Sequence, residues 1–163
     1  MDFNRKRWLR LVKKQAVSAS WQKKHVDWLE RLEDYAVLKG IKVVFSSYTK
    51  AYYLDKLIYI PLKASPLVQT MLLLHELGHA LIGMRQPGER FGLGYSRVGR
   101  RACALISRVD SMDEEFEAWH RGEKLAARLG IQLPEQNWRV FKARQLKAYA
   151  RSISRRYNPL RIL

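Results

Sequence analysis

The chain has 163 residues, 47% of them apolar and 28% charged, a balance that excludes a disordered tail and a large multidomain enzyme and predicts one domain around one core. Lysine and arginine number 31 against 15 acids, a formal charge of +16, so a polyanion is an expected neighbour. Cys103 is the single cysteine, which excludes an intramolecular disulfide and a CxxC redox or zinc pair and fits a reducing cytoplasm.

Met1-Asp2-Phe3-Asn4-Arg5-Lys6-Arg7 is basic but is not followed by the apolar segment and small-residue cleavage site of a secretory signal. The charge-free stretch 64–74 falls well short of the ~18 residues of a membrane span, so a soluble protein with no transmembrane segment is expected. Over residues 20–40, Trp21, Trp28, Leu29, Leu32, Tyr35 and Ala36 recur at helical spacing. Ser20 is placed as N-cap and Gly40 just past the end. Ile41-Lys42-Val43-Val44-Phe45, Ala51-Tyr52-Tyr53-Leu54 and Leu57-Ile58-Tyr59-Ile60 are rich in β-branched and aromatic residues, and they predict a small, mostly antiparallel sheet. Pro61 ends the last strand. Ser65-Pro66 then opens an apolar helix that runs to about Gly83.

Residues 84–101 hold Pro87 and the glycines Gly88, Gly92, Gly94 and Gly99, the pattern of a long irregular loop, made strongly basic by Arg85, Arg90, Arg97, Arg100 and Arg101. Ser111-Met112-Asp113-Glu114 fits a capping box and predicts a helix from there to Gly130. A last helix is expected from about Pro134 into Arg155-Arg156. The fold class is therefore α+β: the small sheet packed on the helix that contains His75 and His79, with further helices at both ends.

His75-Glu76-Leu77-Gly78-His79 is an HExxH motif, and on a helix its i, i+4 spacing sets both imidazoles on one face where they can share a metal ion. Zinc is the natural ion, since it takes neutral imidazole nitrogens in a tetrahedral shell and, with one position left to water, lowers that water's pKa to about 7. Glu76 is then the general base, taking the proton from the water and returning it to the leaving amine. With 4 His and 9 Glu in the chain, chance produces the motif about once in ~200 shuffled chains.

A third ligand is needed. His120 lies 41 residues beyond His79, outside an HExxHxxGxxH arrangement, so a carboxylate from Asp110, Asp113, Glu114, Glu115 and Glu117 is the better candidate. Glu115 heads the stripe Glu115, Ala118, Gly122, Leu125, Leu129, whose spacing of three and four marks a buried helix face. Ala118 and Gly122 are small enough for this helix to approach the HExxH helix closely. Glu114 and Glu117 fall with Arg121 and Lys124 on the outer side, where i, i+4 pairing accounts for them; either remains an alternative ligand.

His75-Glu76-Leu77-Gly78-His79-Ala80, followed after an insert by Glu115-Phe116-Glu117-Ala118, resembles the gluzincin metallopeptidases, and more closely the compact ImmA/IrrE-type and minigluzincin-like peptidase domains of phage and mobile elements. The likeness covers about residues 41–129, leaving basic helical extensions over 1–40 and 131–163. It implies zinc-dependent hydrolysis of peptide bonds in a protein or peptide substrate, one zinc per chain, and the third ligand at Glu115. It also implies an exposed edge strand before the HExxH helix; Leu57, Ile58, Tyr59 and Ile60 occupy that place and would pair with an extended substrate. Trp119 stands where these families usually have Asn or Asp.

Tyr95 and His120 are each placed to be considered as oxyanion donors. His25, on the apolar face with Trp21 and Trp28, reads as a hydrogen-bonded core or boundary histidine. Basic residues concentrate in the loop and at both ends, Arg5, Lys6, Arg7, Arg10, Lys13 and Lys14 at the start and Arg139, Lys142, Arg144, Lys147, Arg151, Arg155, Arg156 and Arg161 at the finish, where no acid follows Gln136. These segments are suited to nucleic-acid phosphates or another polyanion, with Trp138, Phe141, Tyr149 and Tyr157 interleaved for packing or stacking. The alternative to a peptidase is a catalytically inactive zincin scaffold that works as a basic nucleic-acid-associated or regulatory module; a hydrolase of another amide is a third reading.

Overall fold

The computed structural model describes residues 3–47, 51–54, 56–83 and 104–155. Its elements in chain order are helix α1 (Phe3–Leu38), strands β1 (Lys42–Ser46), β2 (Tyr52–Leu54) and β3 (Leu57–Pro61), and helices α2 (Pro66–Gly83), α3 (Ala104–Arg128) and α4 (Glu135–Arg155). The chain divides into two compact units, residues 1–73 and 74–163, with the boundary inside α2.

In the first unit α1 begins far upstream of Ser20, which lies exposed in the helix interior rather than capping it. No glycine or proline falls between Phe3 and Leu38, so nothing breaks the helix before its far end. There the expected Gly40 stop holds. Gly40 takes φ 68°, its N–H reaches the Val37 carbonyl, and Ile41 N–H reaches that of Ala36 at 2.9 Å. This pair of bonds closes a helix on a left-handed residue, a backbone state that glycine enters without Cβ strain.

The sheet is mixed, in the order β1-β3-β2. β3 runs parallel to β1 over Lys42↔Leu57 to Ser46↔Pro61 and antiparallel to β2 over Tyr52↔Tyr59 to Leu54↔Leu57. The mostly antiparallel expectation is thus corrected: the longer ladder is parallel. β3 is also no edge strand, because both of its sides are hydrogen-bonded to neighbours. Ile58 and Ile60 are fully buried, and burying these side chains favours the central position for this strand. Leu57, Ile58 and Tyr59 therefore have strands on both sides, and Ile60 is paired with Phe45 of β1, so the expected edge-strand role of these four residues in substrate pairing is withdrawn.

The core of this unit is Trp28, Leu32, Ala36, Ile41, Ile58, Ile60, Met71 and Leu73. Its two buried polar residues, Gln69 and Thr70, are both hydrogen-bonded. Gln69 Nε2 donates to the Pro61 carbonyl at 3.0 Å and Thr70 Oγ1 to that of Pro66 at 2.8 Å.

In the second unit α3 starts at Ala104, so Ser111 is interior to the helix and the expected capping box is not its N-terminus; residues 104–110 contain no breaker and carry the helix two turns further back. The C-terminal end is as expected: Gly130 takes φ 67° and Ile131 N–H returns to the Ala126 carbonyl at 2.9 Å. α4 also falls where expected. The core is Leu74, Leu77, Ala80, Ala118, Trp119, Leu125, Ala126, Ile131 and Trp138; of the stripe read on α3, Ala118, Gly122 and Leu125 are buried and its two ends, Glu115 and Leu129, are half-buried. Residues 84–103, which include the expected glycine-rich loop with Tyr95, and Cys103, lie outside the described residues. Among the described helices none is long and apolar enough to cross a membrane.

The C-terminal half of α2 and the middle of α3 meet at two glycines. A Cβ at Gly78 would collide with the Ala118 carbonyl, and one at Gly122 would stand 2.8 Å from the Leu74 carbonyl. Each helix thus presents a glycine to the other's backbone, which brings the axes closer than ordinary side chains allow. Helix propensity alone favours alanine over glycine by up to about 1 kcal/mol. We expect the opposite sign for Gly78→Ala, a loss of about 1–3 kcal/mol in urea unfolding, because the obstacle is backbone and cannot rotate away; a more stable variant would contradict the close crossing.

Candidate metal centre

The crossing sets Glu115 of α3 against both histidines of α2. His75 Nε2 lies 3.3 Å from Glu115 Oε2, His79 Nε2 lies 3.5 Å from Glu115 Oε1, and the two imidazole Nε2 atoms are 3.3 Å apart. Among the described residues His75, His79 and Glu115 form a group whose ligand atoms all fall within 4.8 Å of one another, near enough to hold one metal ion. The residues expected to meet are brought together: one turn of α2 supplies two nitrogens and the buried stripe of α3 supplies the carboxylate.

The other acids have different tasks. Glu117 accepts from Arg121 Nε at 2.8 Å, and the same guanidinium donates through Nη1 to the Leu81 carbonyl at 2.7 Å, so Glu117 is committed to an ion pair that ties α3 to the end of α2. Glu114 is not on the outer side, as expected from its phase; its Oε1 lies 3.2 Å from His79 Nδ1. A carboxylate on the far nitrogen of a ligating imidazole fixes the ring and its tautomer and raises its basicity. Glu114 is therefore placed to orient a candidate ligand, His79, and is not among the three residues whose ligand atoms come together.

His75 is supported differently. Its ring stacks on fully buried Trp119, centroids 4.1 Å apart and planes 20° from parallel. Trp119 is in turn held edge-on by Trp138 of α4 at 5.0 Å. Neither His75 Nδ1 nor Trp119 Nε1 has a hydrogen-bond partner among the described residues. The indole fixes the ring plane by contact, at the position where a hydrogen-bonding Asn or Asp was the expected neighbour. Trp119 as a support, like Glu114, escaped sequence reasoning; the signal was its place one residue past Ala118, on the flank of the buried stripe.

Glu76 is buried, with 6% of its surface exposed. His120 is exposed on α3, and none of the contacts described above places it at the ligand group. Tyr95 falls outside the described residues. In the first unit His25 sits half-buried between Trp21 and Trp28, ring centroids 5.6 and 5.1 Å away. It is a boundary residue as expected, but its Nε2 has no hydrogen-bond partner among the described residues.

Electrostatically the three ligands behave as one cluster. Burial opposes a charged His79, yet the carboxylates of Glu114 and Glu115 hydrogen-bond to it and, with the charge of Glu76, hold its pKa up at about 10. Burial likewise opposes a charged Glu115, but the hydrogen bonds from His75 and His79 push its pKa down to about 2. His75 goes the other way: its burial outweighs the help of Glu115, and its pKa is lowered. Without metal, the site is a His79 imidazolium clasped between two carboxylates beside a neutral His75. Compared with protein-family models, curated proteins and solved structures, the chain matches none.

These shifts give the metal-free protein a pH optimum. His79, raised above its ordinary 6.5, contributes stability that is complete below that pH and lost as pH rises toward 10. Glu115, lowered from its ordinary 4.5, contributes stability present above that value and lost as pH falls toward 2. His75, lowered from 6.5, costs stability as pH falls below that value. Thermal midpoints measured in chelator should therefore peak at about pH 5–7 and decline on both sides, with a flatter profile for Glu115→Gln; identical profiles for the two proteins would contradict the coupled cluster.

Proposed function

We propose that this chain is a zinc metallopeptidase of the gluzincin kind, with His75, His79 and Glu115 as ligands and Glu76 as general base. The observation that carries the reading is the convergence of the ligand side chains: the two imidazole Nε2 atoms lie 3.3 Å apart, Glu115 Oε2 lies 3.3 Å from that of His75, and Glu115 Oε1 lies 3.5 Å from that of His79. Zinc bonds of about 2.0–2.1 Å place the corners of a tetrahedron about 3.3–3.4 Å apart; the two nitrogens stand at that separation, and each oxygen of the Glu115 carboxylate stands close to it from one of them. Three protein ligands also leave the fourth corner open, the donor count of catalytic rather than structural sites.

Zinc, when bound, supplies Lewis acidity that brings the pKa of a coordinated water to about 7. The remaining work belongs to the chain. Glu76 follows His75 directly on the same turn of α2, is buried, and carries a charge that the neighbouring His79 senses. Its carboxylate is the group to accept a proton from the attacking water and return it to the leaving amine. Glu114 holds the His79 ring through Nδ1 and Trp119 holds the His75 plane, so the ligand faces converge before any metal arrives. The peptide bond as substrate, and a phage or mobile-element setting, rest on the resemblance of HExxH followed by Glu-x-Glu-Ala.

A random decapeptide library incubated with zinc-loaded protein and read by mass spectrometry tests the reading. The wild type should cleave it and Glu76→Gln should be slower by at least about 10²-fold, while zinc content stays at that of the wild type. Equal cleavage by Glu76→Gln would remove the mechanism, and no cleavage by the loaded wild type would favour the inactive zincin scaffold.

A further inference from the structure

Most of α4 faces away from the core with an unusual composition. Its inner side carries Trp138, buried, whose Nε1 donates to Glu123 Oε1 at 2.7 Å, and Lys142, whose Nζ reaches the same oxygen at 2.9 Å. Arg139 spends its charge on Glu135, one turn back, in an exposed pair at 3.4 Å. Beyond Glu135 the chain has no acid. The exposed cations Arg144, Lys147 and Arg151 follow one another at i+3 and i+7, which places them on one face of the helix. Val140 and Ala148, both exposed, flank them, so little side-chain bulk stands between this face and an approaching surface.

We propose that this face of α4 binds the phosphate backbone of double-helical nucleic acid. From Arg144 to Arg151 the helix advances about 10.5 Å, and over that length a B-form duplex presents about six phosphate charges. The charge density of the partner therefore matches a line of three cations with room for more. Single strands are held chiefly by aromatic stacking, and the aromatics of α4 are not on this face: Trp138 is buried and forms an edge contact with Trp119, Phe141 packs toward the same indole at 6.0 Å, and half-buried Tyr149 lies about 140° around the helix from Arg144. An anionic membrane would need an apolar helix face to bury, and the apolar face of α4 is already occupied by those contacts. The expected contact is thus electrostatic and independent of base sequence. It does not rest on the peptidase reading, because none of these residues touches the ligand group.

The test uses the full chain and a fluorescein-labelled 20-base-pair DNA duplex, with binding followed by anisotropy from 50 to 300 mM NaCl. Two triple variants lower the charge equally: Arg144→Gln/Lys147→Gln/Arg151→Gln on α4, and Lys23→Gln/Lys42→Gln/Lys63→Gln at exposed positions of the first unit. Each phosphate contact contributes about −0.9 to the slope of log K against log salt, so the α4 variant should lose about two to three from that slope and the control less than about one. A single strand of equal length should bind more weakly than the duplex. Equal losses in the two variants, tighter binding of the single strand, or α4-dependent binding to phosphatidylserine vesicles without binding to the duplex would each overturn the proposal. Melting curves of all three proteins at wild-type midpoints exclude unfolding as the cause.

Discussion

The ligand group depends on how closely two helices cross. Gly78 lies inside the HExxH motif and Gly122 lies two turns beyond Glu115, and each meets the backbone of the opposite helix. With the helices this close, the Glu115 carboxylate lies within 3.5 Å of both Nε2 atoms. Burial of Leu74, Leu77, Ala80, Ala118 and Leu125 around the crossing supplies the hydrophobic gain that holds it, and Arg121 fastens its edge by bonding both Glu117 and the Leu81 carbonyl.

Given that crossing, the remaining features follow from the cost of burying charge. Two imidazoles and two carboxylates gathered in a mostly buried space must neutralise one another or take a cation. Glu114 and Glu115 keep His79 charged while burial keeps His75 neutral, a state that sets one positive charge against two carboxylates and from which an ion must displace a proton to enter. Trp119 serves two purposes at once, since its indole fixes the His75 plane and fills the space between α3 and the Trp138 side of α4. The C-terminal helix, whose outer face carries the cations, is by its inner face a support of the candidate metal ligands.

Local periodicity made the centre legible. The i, i+4 histidines, Ser65-Pro66 at the start of α2, the Gly40 and Gly130 stops and the stripe from Glu115 to Leu125 are all helix-phase signals, and phase survives in a sequence because neighbours on a helix face are near in the chain. Glu114 was misread for the same reason: its phase puts it beside the stripe, and only the other helix reveals that His79 reaches it. Helix starts were less legible than stops. Ser20 and Ser111 are good caps, but a cap residue does not end a helix that nothing upstream interrupts. Strand order was not legible at all, because the alternation in Leu57-Ile58-Tyr59-Ile60 records one buried face and says nothing about which strands lie on either side. β3 became the centre of the sheet through a non-local choice, and the edge-strand role implied by the family resemblance went with it.

The central claim is that side chains from two crossing helices hold a single zinc ion, and zinc content per chain by elemental analysis tests it most directly, after dialysis against a mild chelator and reconstitution. The expected result is one zinc in the wild type and its loss, or binding weakened by several orders of magnitude, in Glu115→Ala, with the helical circular dichroism of both proteins alike. A wild type that takes up no zinc, or a Glu115→Ala variant that keeps it as tightly, would contradict the account.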